Sequence, residues 1–254
     1  MKIASWNVNS IKVRWPHVLD WLQTQQPEVL CLQELKCETS AFPWEAVEKA
    51  GYHACVAGQK AYNGVAILSK HPGLDPVVGM SGFEDSQQRV IAATFGTVRV
   101  LSVYCPNGES LSSDKYAYKL RWFDALKREL QRILQDSSRI VVAGDFNVAP
   151  QDCDVYDPRA WQGEVLCSES ERAAFRQLLD LGFNDSFRLF EQEPQRYSWW
   201  HYRANGFKRN MGLRIDHLLV SSGLVPACLA SDIDEGPRAL ERPSDHAPVW
   251  LDLA

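Results

Sequence analysis

Short apolar runs recur along the chain and alternate with segments that have helical spacing. Buried strands typically have this appearance when turn-forming residues bound each run. The pattern predicts strands over residues 3–6, 29–32, 65–68, 98–104, 140–143, 215–220 and 247–253.

Other segments carry the spacing of three to four residues that is typical of an amphipathic helix. An apolar stripe at this spacing predicts a helix over residues 116–135. A second helix should begin at Ser168, where Ser168 and Glu171 form a capping-box pattern, and should end at Gly182. Shorter helices are predicted near residues 18–25 and 44–49.

Glycine and proline are dispersed along the 254 residues, and no tandem repeat or low-complexity linker interrupts them. We therefore predict one domain over residues 1–254, with two sheets and with helices outside them. A chain of this length can bury a sizeable core without disulfide bonds. The seven cysteines form no C-x-x-C pair, which favours free thiols and a reducing compartment.

The N-terminal residues lead directly into the first predicted strand and do not have the pattern of a signal peptide. No apolar run approaches the length of a membrane span. These features predict a soluble, cytoplasmic protein that does not bind membranes. The net charge of −5 argues mildly against a nucleic acid partner.

The region from residue 197 to residue 215 departs from this acidic balance, because it contains no acid. Its basic residues are interleaved with tyrosine, tryptophan and phenylalanine, a combination that suits a phosphate backbone with exposed bases. A solvated loop above core aromatics would look the same, and this part of the sequence alone favours that second reading. The four basic residues are Arg203, Lys208, Arg209 and Arg214.

Polar side chains stand at the edges of the predicted strands. If these strand ends meet at one rim of a sandwich, the polar side chains meet there too. The set comprises Asn7, Asn9, Gln33, Glu34, Tyr104, Asn107, Asp145, Asn147, Asp216, Asp245 and His246.

The chemistry of this set favours a hard divalent cation. Several carboxylates in one place repel one another, and their burial is costly unless a cation compensates. Oxygen ligands without thiolates suit Mg²⁺ or Mn²⁺ rather than zinc. A histidine beside a carboxylate can orient or transfer a proton, and amide and phenol groups stabilise phosphoryl charge. The set therefore suits metal-assisted phosphodiester hydrolysis, although each residue alone has a commoner role in a turn or in the core.

Seven ordered segments carry a family resemblance that runs nearly end to end. They are WNVNS at 6–10, LQELK at 32–36, YNGVA at 62–66, YCPNGE at 104–109, GDFNVAP at 144–150, LRIDH at 213–217 and PSDHAP at 243–248. The sequence resembles the exonuclease III-type abasic endonucleases, within the wider DNase I-like superfamily.

This resemblance implies an α+β fold, a four-layer α/β sandwich in which two mixed β-sheets pack face to face with helices outside. The implied enzyme is a DNA repair phosphodiesterase that needs Mg²⁺, with Mn²⁺ able to substitute, and no small-molecule cofactor. The implied substrate is double-stranded DNA with abasic sites, nicks or 3′ ends, cut by a monomer. Abasic incision, 3′-to-5′ exonuclease and 3′-phosphatase activities would share one site, in a balance that the sequence leaves open.

The resemblance also implies roles for individual residues. Glu34 looks like the principal metal ligand, and the metal site also takes in Asn7, Asp145, Asn147, Asp245 and His246. Asp145 resembles the residue that activates the attacking water, and His246, oriented by Asp216, resembles the one that meets the scissile phosphate. Either of Asp145 and His246 could be the general base. Three further residues resemble the family's phosphate contacts, namely Tyr104, Asn107 and Asn147.

The remaining DNA contacts concern the damaged nucleotide and the backbone. Trp199 aligns with the aromatic wall of a pocket for a bare deoxyribose, and Leu213 faces it, whereas Trp200 reads as a core residue. Arg203, Lys208 and Arg209 would form a basic face. Two alternatives stay open, namely a non-catalytic nucleic-acid-binding regulator on the same scaffold and a phosphoesterase for lipid or inositol phosphates.

Overall fold

Two six-stranded sheets face each other in the computed structural model, which describes residues 1–254. The strands are β1 (Lys2–Asn7), β2 (Val29–Gln33), β3 (His53–Ala57), β4 (Val65–Ser69), β5 (Leu74–Val78), β6 (Val90–Phe95), β7 (Val98–Tyr104), β8 (Ile140–Asp145), β9 (Phe183–Asp185), β10 (Trp199–Trp200), β11 (Gly212–Leu213), β12 (Asp216–Ser221), β13 (Cys228–Ile233) and β14 (Val249–Leu253). The α-helices are α1 (Ile11–Gln25), α2 (Trp44–Lys49), α3 (Asp114–Asp136) and α4 (Glu169–Leu179).

The two sheets repeat one arrangement of central strands. The first has the order β13-β14-β1-β2-β4-β3 and the second β5-β6-β7-β8-β12-β9, while β10 and β11 form a separate two-stranded ribbon. In each sheet one central pair is parallel, β1 with β2 and β7 with β8. A helix connects each pair, α1 in the first sheet and α3 in the second. The carboxyl ends of each parallel pair therefore lie at one edge of their sheet.

Alternating side chains divide the interior into layers. On β8, Val141 and Ala143 belong to the core between the sheets, whereas Ile140 and Val142 pack in the cluster that contains the apolar faces of α3 and α4. The outer face of the first sheet packs against α1 and α2 in the same way. The predicted four-layer sandwich, with helices outside two mixed sheets, is thus confirmed. None of the helices combines the length and the apolar character that a membrane crossing requires.

The differences from the predicted elements lie mostly at the sheet edges. The seven predicted strands are present, but the other seven were not predicted, namely β3, β5, β6, β9, β10, β11 and β13. Strand β5 is exposed throughout and β3 is only partly buried, so neither shows a continuous apolar run. The first helix begins at Ile11 rather than near residue 18, with Pro16 inside it. The capping box of Ser168 and Glu171 is confirmed, and the helix ends at Leu179, just before Gly182.

An internal ion cluster fixes the start of β12. Arg214 is 2% exposed, and its guanidinium donates 2.7 Å hydrogen bonds to Asp154 and Asp185. The same group lies over the ring of Phe187 and contacts Nδ1 of His217. Arg214 therefore does not belong to an exposed basic face, in contrast to what its position in the sequence suggested.

We expect Arg214→Met to destabilise the protein strongly. The substitution keeps much of the side-chain volume but leaves buried Asp185 without its arginine partner and Asp154 with Arg188 alone, which costs about 3–5 kcal/mol. The free energy of unfolding, measured by urea denaturation, should fall by this amount. The matched control is Arg128→Met, which breaks an exposed pair with Asp124 and should cost less than about 1 kcal/mol. Equal losses in the two variants would show that the Arg214 cluster does not stabilise the fold.

Candidate metal-binding and catalytic site

The topology brings the predicted site residues to one rim of the sandwich. Asn7, Tyr104 and Asp145 are the last residues of β1, β7 and β8, and Glu34 directly follows β2. In the second sheet, Asp145 pairs in register with Tyr104 on one side and with Asp216 on the other. Because the sheets pack face to face, residues at these strand ends meet across the rim.

Gly144 allows β7 and β8 to approach closely just before the acidic residue Asp145. A Cβ atom at Gly144 would lie 1.9 Å from the carbonyl oxygen of Val103, a distance that no side chain tolerates. Any other residue at this position would push the two strands apart. The glycine thus preserves the register that places Asp145 beside Tyr104.

Three side chains form the centre of the site. The ligand atoms of Glu34, Asp145 and His246 all lie within 4.8 Å of one another. Asn7 links the two carboxylates, because its Nδ2 donates to Glu34 Oε1 at 2.8 Å and to Asp145 Oδ2 at 2.9 Å. The hydroxyl of Tyr104 donates to Glu34 Oε1 at 3.0 Å. Two carboxylates and an imidazole at this spacing could hold a metal ion, and the oxygen-rich donor set fits a hard cation.

Glu34 adopts a backbone conformation that residues other than glycine rarely take. Its φ is +53°, in the left-handed region, which costs on the order of 1–3 kcal/mol. Surrounding hydrogen bonds hold this turn, among them that from Ser10 N to Glu34 O at 2.8 Å. The ammonium of Lys36 lies 2.9 Å from Glu34 Oε2. Glu34 is therefore fixed in place by its surroundings.

His246 and Asp216 form a buried pair beside this cluster. Nδ1 of His246 lies 2.8 Å from Asp216 Oδ2, and its Nε2 lies 3.7 Å from Asp145 Oδ2. Ser198 completes the arrangement, since its hydroxyl donates to Asp216 Oδ2 at 2.7 Å. The sequence did not indicate this serine, because its position next to Trp199 carries no sign of a contact with β12.

The electrostatics of the site follow from burial and from crowded carboxylates. Burial alone would lower the pKa of His246, but Asp216 and Asp145 outweigh it and raise the pKa to about 10. Burial raises the pKa of Asp145 to about 7, despite the opposing effect of His246. Burial, with the charges of Glu34 and Asp145, also raises the pKa of Tyr104, which keeps its hydroxyl protonated. A cation at this point would relieve the repulsion between the carboxylates.

Two asparagines stand next to the cluster and are held by a buried lysine. Asn107 Nδ2 donates to Asn147 Oδ1 at 3.1 Å, and Asn147 Nδ2 donates to the carbonyl of Cys105 at 3.0 Å. The fully buried ammonium of Lys119 donates to the carbonyl oxygens of both asparagines and pairs with Glu171. Lys119 was not predicted. Its position on the apolar face of a helix was the one available signal.

Asp245 does not join the three-residue cluster, although the sequence placed it among the metal ligands. Its Oδ1 accepts a 2.9 Å hydrogen bond from Asn9 Nδ2, and its Oδ2 accepts a 3.1 Å bond from Trp199 Nε1. Burial alone would raise the pKa of Asp245, but His246 and these two donors lower it. The carboxylate thus connects Asn9 to Trp199 beside the site.

The residues predicted to contact DNA occupy two different environments. Trp199 is half-buried and pairs in register with Leu213, which is fully buried. Trp200 is fully buried, as its core reading required. The three basic side chains are exposed on the segment after β10 and are not part of the acidic cluster; they are Arg203, Lys208 and Arg209.

A four-layer sandwich with an acidic cluster at the ends of its central strands defines the DNase I-like class of proteins. The family model described as Endonuclease/Exonuclease/phosphatase family matches residues 4–246. The chain belongs to this family.

Three relatives show how close the similarity is. The chain is 39% identical to exodeoxyribonuclease III of Haemophilus influenzae, over 100% of both proteins. It is 46% identical to the 3′ phosphatase NExo from Neisseria, solved with a product DNA hairpin, with a TM-score of 0.98 over 100% of this chain and 99% of that one. An AP endonuclease from Archaeoglobus fulgidus is 36% identical, with a TM-score of 0.96 over 100% and 99%. The family resemblance is confirmed.

Glu34→Gln should weaken the binding of a divalent cation, because it removes one ligand charge and retains the shape. A ligand that binds only the folded state at a hundred times its Kd stabilises a protein by about 2.7 kcal/mol. In thermal denaturation, a divalent cation should raise the melting temperature of the unmodified protein, and a chelator should reverse this. The shift should shrink in Glu34→Gln and persist in the control Glu109→Gln, which alters an exposed pair with Lys115. An undiminished shift in Glu34→Gln would remove Glu34 from the metal site.

Proposed function

We propose that this chain is a metal-dependent DNA repair phosphodiesterase. It incises DNA on the 5′ side of abasic sites and removes nucleotides from 3′ ends, with 3′-phosphatase activity at the same site. Its substrate is double-stranded DNA with abasic sites, nicks or 3′ ends. The observation that carries this proposal is the convergence of Glu34, Asp145 and His246, in a chain that is 46% identical to a DNA-bound 3′ phosphatase.

The metal that fits best is Mg²⁺, with Mn²⁺ as a substitute. Two of the three ligand groups are carboxylates, the third is an imidazole and none is a thiolate, which suits these cations better than a thiolate-rich zinc site. Glu34 and Asp145 are the ligands that this geometry supports best, with Asn7 holding both in place. When bound, the ion would polarise a phosphoryl oxygen and stabilise the charge that develops there.

The protein residues divide the remaining chemistry between them. Asp216 accepts from Nδ1 of His246 and leaves Nε2 as a donor toward a phosphoryl oxygen. Because two carboxylates flank this ring and raise its pKa to about 10, we assign His246 to charge stabilisation. Asp145 then orients the attacking water and accepts its proton. The protonated hydroxyl of Tyr104 would exchange its hydrogen bond to Glu34 for one to another phosphoryl oxygen, the amide hydrogen that Asn147 does not use on Cys105 would donate there as well, and Asn107 binds a neighbouring phosphate.

Selection of an abasic site requires that the nucleotide be turned out of the helix. The half-buried ring of Trp199 borders an apolar cluster that contains Leu213 and Ile215. This surface suits a bare deoxyribose, with Trp199 as its wall and Leu213 as support beneath. The main chain couples it to the histidine, since Trp199 forms a bridge with His246 and the N–H of Ala247 donates to the carbonyl of Ser198 at 2.7 Å.

Binding of the DNA backbone falls to an exposed basic segment. Three basic side chains are exposed to solvent, namely Arg203, Lys208 and Arg209. Their binding to phosphates would release counterions from the DNA, so the affinity for DNA should fall as the salt concentration rises. This local charge outweighs the net charge of −5, because exposed charges act over about 10 Å at moderate ionic strength.

A gel assay with three duplexes tests the function. One duplex carries an abasic site, one a recessed 3′ end and one a 3′ phosphate, and a soluble inositol phosphate is assayed beside them. With Mg²⁺, the protein should process the duplexes and leave the inositol phosphate intact. Asp145→Asn and His246→Asn should each lower the single-turnover rate by about 10²–10⁴-fold, while DNA binding remains.

The matched controls for these variants are Asp75→Asn and His53→Asn, which change exposed residues on β5 and β3. Both should cleave at the unmodified rate. Absence of cleavage of all three duplexes would contradict the proposed function. Near-normal rates in Asp145→Asn or His246→Asn would instead contradict the role of that residue.

Trp199→Ala should lower abasic incision far more than it lowers stability. Loss of a stacking wall costs about 1–3 kcal/mol, which corresponds to a rate loss of about 5- to 150-fold. Incision rate and melting temperature are to be compared with those of Trp44→Ala, a variant of a partly exposed tryptophan on α2. A large drop in melting temperature, or unchanged incision, would make Trp199 a core residue and place the pocket elsewhere.

A further inference from the structure

Arg238 is a buried cation without an anionic partner. It lies in the short 3₁₀ helix Gly236–Ala239 and is 7% exposed, yet it forms no ion pair with any carboxylate. Its one side-chain hydrogen bond runs from Nη2 to the carbonyl of Trp200 at 3.2 Å, and its buried Nε has no partner. An arginine is always charged, and a buried charge is costly unless an anion and hydrogen bonds compensate it.

Aromatic contacts orient this guanidinium but do not satisfy its donors. The group lies over the rings of Tyr202 and Phe207, 5.2 Å from each centroid. Cation–π contacts attract the positive charge, but they provide no oxygen acceptor. Because Nε is buried and Nη2 already donates to Trp200, Nη1 is the donor that a ligand could reach. The arrangement fixes the orientation of the guanidinium and leaves hydrogen-bonding capacity unused.

A concavity of about 340 Å³ adjoins Arg238 and contains no acidic residue. We call it the Arg238 pocket. Besides Arg238 and the two aromatic residues, the residues that matter in its lining are His201, Asn205 and Lys208. Nδ1 of His201 accepts a hydrogen bond from the N–H of Arg203 at 2.9 Å, so Nε2 carries the proton of a neutral ring and is a donor.

We propose that the Arg238 pocket binds one backbone phosphate of the DNA, at a distance from the phosphate that is cleaved. This proposal rests on the proposed function for the identity of the polyanion. Three donors of different kinds, namely a guanidinium, an ammonium and an imidazole N–H, line a pocket without acids in a chain of net charge −5. Such a set suits a phosphate diester, whose two free oxygens accept hydrogen bonds.

The pocket is connected to the acidic cluster through Tyr202. The hydroxyl of Tyr202 donates to the carbonyl of Pro243 at 2.9 Å and accepts from Asn9 Nδ2 at 3.2 Å. Asn9 in turn donates to Asp245, the neighbour of His246. A phosphate held in the Arg238 pocket would therefore fix the register of the strand relative to the site, which is what backbone contacts do in other DNA complexes.

The test is a scan of DNA binding with single methylphosphonates, each of which removes the charge of one phosphate. Duplexes that each carry one substitution are titrated with the unmodified protein, Arg238→Gln, His201→Phe and Lys208→Gln, with chelator present to prevent cleavage. Loss of one charged contact should weaken binding by about tenfold and reduce the salt slope by about 0.9. Arg128→Gln, on the exposed face of α3, is the control and should match the unmodified protein.

The expected result is one position at which the methylphosphonate weakens binding by the unmodified protein more than it weakens binding by Arg238→Gln, His201→Phe or Lys208→Gln. If Arg238→Gln fails to fold, the two rim variants still decide the question, because both must lose sensitivity at the same position. A sensitivity profile equal to that of the unmodified protein, or positions that differ between the variants, would overturn the proposal. Failure of the proposed function would appear separately, as absence of cleavage with Mg²⁺ despite tight binding.

Discussion

The burial of the Asp145 carboxylate among other acids is the constraint on which the rest of the site depends. Asp145 is 1% exposed and lies between Glu34 and Asp216. Its negative charge is tolerable because Asn7 and the N–H of Asn147 donate to it and His246 lies nearby. The same crowding makes a cation favourable, so the carboxylate repulsion that costs stability is also what attracts a metal.

The scaffold keeps these charges in place through buried polar contacts as well as apolar packing. Gln33 bonds to Ser5 in its own sheet and to Ser102 in the other sheet, with distances of 3.0 Å and 3.2 Å from its Nε2. This link crosses the sandwich one residue before Glu34. Lys119 connects the loops that follow β7 and β8 to α3 through the carbonyl oxygens of Asn107 and Asn147. Both features place directional hydrogen bonds where apolar contacts alone would allow the packed elements to shift relative to one another.

The sequence predicted the elements whose physics is local and missed those that depend on distant partners. Continuous apolar runs identified the central strands, and polar residues at their ends identified Glu34, Asp145 and His246. Edge strands such as β5 were not predicted, because their exposed residues form no continuous apolar run. Ser198 was not predicted because its partner Asp216 is 18 residues away. Lys119 was not predicted because two of its partners, Asn147 and Glu171, are 28 and 52 residues away. The same limit applies to Asp245, whose bonds to Asn9 and Trp199 the sequence did not indicate, while its place among the metal ligands stays a prediction.

The main-chain bridge between Trp199 and His246 has a consequence for how damage would be recognised. In the proposed function Trp199 is the pocket wall and His246 the catalytic group, and because backbone hydrogen bonds join their segments, the two would stay at a fixed separation during recognition. The DNA then has to unstack and bend to fit the site, and the free energy of this deformation depends on the sequence of its base steps. Discrimination would consequently reflect how readily a lesion yields to distortion, and flexible pyrimidine–purine neighbours would make the same lesion easier to process.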